Sequence, residues 1–453
     1  MTDRIETLVI LGAGGDLTAR LLLPGLASFL ASPRGTDITV LGVGMDPMTD
    51  AAWTERVTTA FAAQPSDLGA KVAAESRYLQ ADVTNPEDLA RVFAEATGRI
   101  ALYFALPPAV AELACEALNE IPVPSGIVLA LEKPFGTDLA SAKALNRLLQ
   151  KLVPEEQVFR VDHFLGKSTV LNLLGLRFAN RIFEPLLSAP NVEKVEIVFD
   201  EQLALEGRAG YYDRAGALVD MIQSHLLLVL ALTAMEPPAS VDADDLRGAM
   251  AQVLRATHPA LKGGTSSRRA RYTAGTVGDR SLPAYSKEAG VDASRHTETL
   301  AEVTLSIDNW RWAGVPFILR SGKALGEARQ EIIVTLREVP HLPIGLHGPT
   351  GPSQLRISMK PATLELDLTI NGEGDPFQLD RTVLRSELLD GELNAYGEVI
   401  AGLLEGDPTL SVRGDIAEEC WRIVAPILAA WRTDAVELDT YAAGSDGPRG
   451  WRP

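Results

Sequence analysis

The alternation of short apolar runs with amphipathic segments over the first 160 residues most constrains how this chain can fold. The apolar runs are Thr7–Leu11, Asp37–Gly42, Arg77–Ala81, Ile100–Ala105, Gly126–Leu131 and Gln157–Val161. The segments between them have helical spacing and are Leu17–Leu30, Ala51–Ala62, Pro86–Ala96, Ala109–Leu118 and Leu139–Leu149. Near-continuously apolar strands separated by helices are typical of a doubly wound parallel sheet with both faces covered. We therefore predict an α/β domain over residues 1–162.

A glycine-rich turn, Gly12-Ala13-Gly14-Gly15-Asp16-Leu17, follows the first predicted strand. Glycines there let the backbone approach a pyrophosphate, whose charge the following helix N-terminus stabilises. Leu17 stands where the dinucleotide-binding fingerprint has its third glycine, so a plain strand-to-helix turn is the alternative. Together with the alternation, the turn predicts a Rossmann-like domain that binds NAD or NADP.

The end of the second predicted strand indicates which of these coenzymes is used. An acid at this position accepts a hydrogen bond from the ribose 2′-OH of NAD, whereas an arginine favours the 2′-phosphate of NADP. Met45 and Asp46 occupy it here, and they favour NAD. The alternative is that Asp46 only forms a turn before Pro47.

A charged cluster ends the last of these strands and begins the next helix. Asp162 and His163 are followed by Gly166 and Lys167, which places an acid, an imidazole and a cation beside exposed backbone N–H groups. This arrangement can hold an anion next to a reacting group. It is not a nucleotide P-loop, because Val161 stands where that motif requires glycine. The alternative is a strand-to-helix junction with solvated charges.

Two further residues are candidates for the chemistry. Lys133 follows the fifth strand, at the carboxyl edge where open α/β sheets bind ligands, although a surface lysine is the alternative. His225 lies on the apolar stripe of a helix predicted over Leu218–Met235. It is either a core histidine or, with a carboxylate on Nδ1, a general base.

The pattern of apolar and polar residues changes after residue 170, and we predict a larger α+β domain over residues 163–453. Alternating apolar and polar residues predict a mostly antiparallel sheet, with strands at Val192–Phe199, Thr299–Ile307, Glu331–Leu336, Gln354–Met359 and Thr363–Asn371. Helices are predicted at Leu171–Ala179, Leu218–Met235, Leu388–Leu404 and Ile416–Ala430. Lys262–Ser267 and Ser445–Pro453 are predicted to be mobile.

Composition excludes some partners. A formal charge of −18 gives no basic surface for nucleic acid or anionic lipid. Cys115 and Cys420 have no metal-ligand spacing and predict buried thiols in a reducing compartment. No apolar run approaches 18 residues. We expect a cytoplasmic protein that binds no metal and does not enter a membrane.

Several segments, in this order along the chain, resemble the glucose-6-phosphate dehydrogenase family. They are Gly12–Leu17, Tyr103–Pro108, Glu132–Gly136, Arg160–Lys167, Leu176–Asn180, Gly210–Asp213, Asp220–His225, Arg311–Phe317, Arg320–Lys323, Gly406–Leu410 and Gly444–Pro448. The resemblance implies a Rossmann-like domain followed by a β+α domain, and a homo-dimer or homo-tetramer.

The resemblance also implies an activity and roles for residues. His225 would take the proton from the C1 hydroxyl of glucose 6-phosphate, Asp162 would orient its imidazole, and hydride transfer to NAD(P) would give 6-phospho-D-glucono-1,5-lactone, at the entry to the pentose phosphate pathway. His163 and Lys167 resemble the ligands of the phosphate. Ligands of the sugar hydroxyls would be Lys133, Glu201, Asp220 and Lys323. Coenzyme ligands would be Gly12, Gly14, Gly15, Asp16, Leu17, Asp46, Pro107 and Lys133.

The sequence departs from the family at positions that matter for charge. Phe164 replaces a tyrosine that usually helps to hold the phosphate, and Ala328 stands where a lysine or arginine is common, next to Arg329. Losing a charge-assisted hydrogen bond costs about 1.5–3 kcal/mol. On the coenzyme side, Ala19, Leu21 and Met45 all stand where the family usually has cations, which again favours NAD.

Three alternative functions follow from these departures and from the domain pattern. The first is a paralogue that oxidises another hexose or hexose phosphate. The second is a non-catalytic regulatory paralogue that binds a sugar phosphate, against which the retention of Lys133, Asp162, Lys167 and His225 argues. The third is an oxidoreductase of the glucose–fructose oxidoreductase type, which does not explain the Arg160–Lys167 segment.

Overall fold

The computed structural model describes residues 4–260 and 266–451, and these form two compact units. The first unit comprises the chain up to Leu171 together with Pro238–Ala251 and Gly391–Trp421. The second comprises Asn172–Pro237, Gln252–Asp390 and the chain from Arg422 onward. Twelve α-helices are described, α1 to α12 in chain order: Leu23–Ala31, Asp50–Phe61, Asp67–Glu75, Pro86–Glu95, Pro108–Leu118, Leu139–Leu152, Ser168–Phe178, Ala209–Ala217, Leu227–Ala234, Ala243–Ala256, Ala395–Glu405 and Gly414–Arg432.

The first unit is built on a six-stranded sheet in which every neighbouring pair of strands is parallel. Its strands β1 to β6 are Thr7–Leu11, Thr39–Gly44, Arg77–Gln80, Ile100–Phe104, Val128–Glu132 and Val158–Val161. They lie in the order β3-β2-β1-β4-β5-β6, which is the doubly wound dinucleotide-binding order. The predicted α/β fold of this part of the chain is confirmed.

Both faces of this sheet are buried by helices, as the continuous apolar character of the strands requires. On β1, Leu8 and Ile10 belong to the core on one face, and Val9 and Leu11 belong to the core on the other. Side-chain caps fix where several helices begin. For example, the Asp138 carboxylate accepts from Ser141 N at 2.8 Å at the start of α6. Helix α3, which the sequence did not predict, is capped in the same way by Ser66.

Helix α11 belongs to the first unit although it lies more than 200 residues after β6. It packs on α1 through the shared apolar core, and Arg34 binds Glu398 at 3.0 Å and Glu405 at 2.7 Å. The compact units are therefore assembled from discontinuous segments. The division into domains 1–162 and 163–453 remains a prediction.

The second unit is built on a ten-stranded sheet of mixed, mostly antiparallel pairing. The strands of the second unit are β7 to β18: Val192–Asp200, Thr257–Pro259, Ser267–Thr273, Gly275–Val277, Arg280–Leu282, Leu300–Ile307, Phe317–Gly322, Arg329–Leu336, Gln354–Met359, Ala362–Asn371, Leu379–Glu387 and Leu438–Ala442. Of these, β10 and β11 form a separate hairpin, and the other ten form the large sheet. The order is β17-β16-β15-β14-β7-β13-β12-β9-β18, and β8 pairs with β12. Two pairs, β13 with β7 and β18 with β9, are parallel. The predicted fold class of this part is confirmed.

A long helical run, Ala209–Ala234, forms the centre of the second unit. It consists of α8, a π-helical segment Leu218–Leu226, and α9. Among the described residues this helix alone is long and apolar enough to cross a membrane, but 89% of its most apolar window is buried. Such burial is typical of a core helix in a folded protein.

The two segments predicted to be mobile have different outcomes. Most of Lys262–Ser267 lies outside the described residues. The prediction for Ser445–Pro453 is wrong as far as Trp451, which is buried and donates from Nε1 to Asp439 at 2.9 Å. Arg268 also lies over its ring, 4.9 Å from the centroid. An aromatic residue can anchor a polar, glycine-containing end that composition alone predicts to be free.

Candidate active site

The glycine turn after β1 packs closely against the end of β4. Gly12 has φ +90°, and a Cβ atom added to it would lie 2.2 Å from the Ala105 carbonyl oxygen. The turn is closed by Gly15 N, which donates to Gly12 O at 2.9 Å, and by Thr18 Oγ1, which donates to the same oxygen at 3.1 Å. Gly14 is exposed at the tip of the turn. A bare backbone at the carboxyl edge of the sheet fits the pyrophosphate of a dinucleotide.

Leu17 occupies the position of the third glycine of the dinucleotide-binding fingerprint. Its side chain is half-buried and packs on the core that α1 covers. The helix then begins with a π-helical turn, Thr18–Leu22, before α1. Asp16 is exposed and lies 3.3 Å from Arg20, an ion pair that contributes little because both side chains are solvated.

The residues after β2 lie beside this turn. A Cβ atom added to Gly14 would lie 3.7 Å from Asp46 Oδ2, so the Asp46 carboxylate is next to the glycines, as a ribose-binding acid should be. Tyr78 donates its hydroxyl to the Asp46 carbonyl at 2.7 Å and holds the loop. Met45 is 68% exposed and brings no charge.

Arg56 is a residue that sequence reasoning missed. Its Nη2 donates to the carbonyl oxygens of Gly14 and Gly15, both at 2.9 Å. Arg56 therefore fixes the shape of the turn from α2. A helical arginine carries no sequence signal for such a role.

The parallel sheet brings several predicted residues to one edge, because the carboxyl ends of parallel strands meet there. The glycine turn follows β1, Pro107 follows β4, Lys133 follows β5 and Asp162 follows β6. The first unit thus contains the following predicted site residues: Gly12, Gly14, Gly15, Asp16, Leu17, Asp46, Pro107, Lys133, Asp162, His163 and Lys167. The second unit contains Glu201, Asp220, His225 and Lys323.

The Asp162–Lys167 segment forms a tight turn surrounded by aromatic rings. Asp162 is 1% exposed, and its Oδ1 accepts from Phe164 N at 3.0 Å at the start of a 3-10 turn, His163–Gly166. The Lys167 ammonium lies 3.7 Å from the centroid of the Phe164 ring. His163 and Lys167 remain half-buried. The phenylalanine that replaces the usual tyrosine therefore holds the lysine through a cation–π contact.

Glu132, which precedes Lys133, accepts two tyrosine hydroxyls on one oxygen. Tyr103 donates to Oε1 at 2.5 Å and Tyr396, from α11, donates to the same atom at 3.2 Å. Burial raises the pKa of Glu132 to about 7, against the opposing effect of these two donors. Sequence reasoning missed Tyr396, because no local pattern connects it with Glu132, 264 residues earlier in the chain.

In the second unit, Glu201 and Lys323 meet because their strands are parallel neighbours. Asp200 at the end of β7 lies opposite Gly322 at the end of β13, and Glu201 N donates to Gly322 O at 2.8 Å. The Lys323 ammonium then lies 2.7 Å from Glu201 Oε2. No local pattern predicted β13, so this ion pair was not expected from the sequence.

Asp220 and His225 lie on the π-helical segment and are both buried. A π-helix closes hydrogen bonds between residues five apart, so these two residues lie about one turn apart on the same side of the helix. In an α-helix, neighbours on one face are three or four residues apart, and this pair would diverge. Asp220 also hydrogen-bonds Tyr211, whose pKa burial raises. The segment is buried on nearly all sides, whereas the sequence predicted a single apolar stripe.

A buried carboxyl fixes the start of this segment. Glu298 Oε1 accepts from Leu218 N at 3.0 Å, and burial raises the pKa of Glu298 to about 7. Gly216 has φ +65°, and a Cβ atom there would lie 2.2 Å from Glu298 Oε1. The glycine is therefore needed both for its conformation and for room.

The resemblance predicts a cation at position 328, and the neighbouring Arg329 does not take its place. Ala328 is exposed, and the Arg329 Nη2 is engaged by Glu331 Oε1 at 2.8 Å. Arg356 binds the other oxygen of Glu331 at 2.7 Å.

Family models match almost the whole chain. Residues 9–172 match the model described as glucose-6-phosphate dehydrogenase, NAD binding domain, and residues 174–452 match the model of its C-terminal domain. The chain belongs to the glucose-6-phosphate dehydrogenase family. The resemblance predicted from the motifs is confirmed, and with it the prediction of an oxidoreductase with a nicotinamide coenzyme domain.

Several relatives in the glucose-6-phosphate dehydrogenase family match over nearly their full length. The glucose-6-phosphate 1-dehydrogenase of Zymomonas mobilis is 35% identical over 99% of this chain and 97% of its own. The crystal structure of the Mycobacterium avium enzyme is 32% identical, with a TM-score of 0.86 over 98% of this chain and 95% of that one. A glucose-6-phosphate dehydrogenase in complex with glucose 6-phosphate has a TM-score of 0.89 at 28% identity, over 99% of this chain and 97% of that one.

Proposed function

We propose that this protein oxidises the C1 hydroxyl of D-glucose 6-phosphate to 6-phospho-D-glucono-1,5-lactone. The observation that carries the proposal is family membership over almost the whole length of the chain, together with the retention of Lys133, Asp162, Lys167 and His225. Full-length relatives carry the same activity in their names. The reaction is the entry step of the pentose phosphate pathway.

We assign roles as follows. His225 removes the C1 hydroxyl proton, and Asp162 orients its imidazole and stabilises the charged form. Lys167 and His163 bind the phosphate. Nicotinamide, when bound, supplies the hydride acceptor. The sugar hydroxyls are held by Lys133, Glu201, Asp220 and Lys323. Lys133 also contacts the coenzyme.

The proposed coenzyme ligands lie on the first unit. The glycine turn offers its backbone to the pyrophosphate, and Asp46 accepts from the adenosine ribose. These contacts are supported by the exposed Gly14 and by the closeness of the Asp46 carboxylate to it. Asp16, Leu17 and Pro107 flank the same crevice as part of the family pattern.

A panel of sugars tests the proposed reaction. We expect coenzyme reduction, followed by absorbance at 340 nm, with glucose 6-phosphate, and a much lower kcat/KM with glucose. A site that binds a charged phosphate loses that binding energy with the unphosphorylated sugar. Equal or greater activity with another hexose or hexose phosphate would favour the alternative function, that of a paralogue that oxidises this other sugar. Phe164 and Ala328 favour that candidate, because each removes a phosphate ligand. Inactivity with every sugar would contradict catalysis.

We also propose that NAD is used at least as well as NADP, and the same assay compares their kcat/KM values. The support is the uncharged, exposed Met45 and the adjacent Asp46 carboxylate. Met45→Arg should raise kcat/KM for NADP by about tenfold, the effect of one charge-assisted contact with the 2′-phosphate, and leave NAD nearly unchanged. A wild-type preference for NADP would contradict the assignment.

We propose a second copy of the chain as a partner, in a dimer or tetramer. On β16 the side chains of Leu366, Leu368 and Ile370 share one face, and Leu384 of β17 lies opposite Leu366. Leu384 is 58% exposed and Ile370 is 49% exposed. A row of partly exposed apolar side chains of this kind is typical of an interface.

Light scattering tests the assembly. The wild type should have a molar mass of at least two chains of 48.6 kDa, and Leu384→Glu should lower it to one. Leu389→Glu is the matched control, because Leu389 is 88% exposed in the loop after β17. A monomeric wild type would contradict the proposal.

We propose a cytoplasmic location. Cys115 and Cys420 are both buried and form no disulfide, as expected in a reducing compartment. Recovery of the protein in a membrane or secreted fraction would contradict it.

A further inference from the structure

Glu132 connects three elements of the first unit through one oxygen atom. The hydroxyls of Tyr103, at the end of β4, and Tyr396, in α11, both donate to Oε1, at 2.5 Å and 3.2 Å. Tyr103 is completely buried and Tyr396 is 8% exposed. A carboxylate oxygen shared by two buried donors fixes the positions of both, because losing either bond leaves a buried polar group unpaired.

Tyr396 is also fixed through its helix. Asn394 caps α11 by accepting from Gly397 N at 2.8 Å. Gly25 of α1 lies so close that a Cβ atom added to it would be 2.7 Å from Tyr396 Cβ. The ring therefore projects from a rigid backbone and is held at its far end by Glu132.

The face of this ring lies on His163. The two ring centroids are 5.6 Å apart and the ring planes differ by 16°, which is a stacked arrangement. Phe164 approaches the same imidazole edge-on, at 5.1 Å and 63°. Stacking on one side and an edge contact from Phe164 together fix the plane in which the His163 nitrogens lie.

We propose that Tyr396, held by Glu132, is a positioning residue that sets the imidazole plane of His163 toward the phosphate of the substrate. The proposal rests on the proposed function of His163 as a phosphate ligand. A neutral imidazole has a single N–H to donate, so the orientation of its plane determines whether that donor reaches a phosphate oxygen. The hydrogen bond from the Tyr396 hydroxyl to Glu132 fixes the ring, and the stacked ring fixes the imidazole of His163.

Two substitutions separate these contributions. Tyr396→Phe keeps the stacked ring and removes only its hydroxyl. Tyr396→Leu removes both the stacked ring and the hydroxyl. We expect Tyr396→Leu to raise KM for glucose 6-phosphate by about 3- to 10-fold, the range for an aromatic pair, with kcat within about twofold. Tyr396→Phe should give a smaller increase. The KM for glucose, which has no phosphate, should stay unchanged in both.

A double-mutant cycle distinguishes positioning from general damage to the fold. In the His163→Asn background, Tyr396→Leu should have little further effect on KM, because the residue that it orients is gone. Val399→Ala is the control, since Val399 lies three residues along the same helix in the same core and should destabilise the protein without changing KM.

The possible outcomes are distinct. An active wild type with an unchanged KM in Tyr396→Leu, or an increase of the same size in the His163→Asn background, would overturn this inference and leave the proposed function intact. A wild type that neither oxidises nor binds glucose 6-phosphate in calorimetry would overturn the proposed function, and this inference with it.

Discussion

Replacing His225 with asparagine is expected to lower kcat for glucose 6-phosphate oxidation by about 10²- to 10⁴-fold, the contribution of a general base. Asparagine occupies a similar volume and can still hydrogen-bond, but it cannot take a proton at neutral pH. His225 is 2% exposed on the π-helical segment, so the substituted side chain must fit the same buried space, which asparagine does. The measurement is steady-state kcat with the better coenzyme at saturating sugar.

Binding should survive this substitution. The dissociation constant of glucose 6-phosphate, measured by calorimetry, should change by less than about threefold, because the role of His225 concerns a proton that moves only in the transition state. His347→Asn is the matched control, since His347 is an exposed histidine in the same unit and should keep full activity. A His225→Asn variant that retains more than one tenth of the wild-type kcat would remove His225 from the role of base.

The first unit could be predicted closely because its strands and helices have different local patterns. All six strands of its sheet were predicted, and the Thr7–Leu11 prediction matches the observed strand at both ends. Parallel strands that are buried on both faces have continuous apolar runs, which stand out against the amphipathic helices between them. The strand ends then place Lys133 and Asp162 at one edge without further information.

The second unit was predicted less completely because several of its strands do not alternate. Residues 379–387, which form β17, carry mixed exposed side chains, and most of the strand is open to solvent. The β13 strand is nearly all buried but has only three apolar residues, at its start, and only its pairing with β7, more than 100 residues away, brings Lys323 to Glu201. Long-range pairing of this kind leaves no local signal.

The helix that carries His225 was predicted, but its geometry was not. Helical spacing assumed 3.6 residues per turn and placed His225 on a stripe with Leu218 and Ile222. In the π-helical segment, residues five apart are about one turn apart, so Asp220 and His225 lie on the same side of the helix. Gly216, with Glu298 beneath it, sets where this segment begins. A single wide turn depends on such tertiary contacts, which local sequence patterns do not contain.

The phosphate side of the proposed site gives the second large effect. Lys167→Met is expected to lower kcat/KM for glucose 6-phosphate by about 10- to 100-fold, because one charge-assisted hydrogen bond to the phosphate contributes about 1.5–3 kcal/mol. Methionine keeps a side chain of similar length but removes the ammonium, which lies 3.7 Å from the centroid of the Phe164 ring. The measurement is kcat/KM for glucose 6-phosphate and for glucose in the same assay.

The comparison of the two sugars separates binding of the phosphate from damage to the fold. With glucose there is no phosphate for Lys167 to contact, so its kcat/KM should be unchanged and the preference for the phosphorylated sugar should fall by the same 10- to 100-fold. Lys151→Met is the control, because Lys151 is exposed in the last turn of α6. Equal losses with both sugars would make Lys167 a structural residue. No loss with either would mean that Lys167 does not bind the phosphate. Because Phe164 and Ala328 also offer it no polar contact, oxidation of another hexose or hexose phosphate would then be the better explanation.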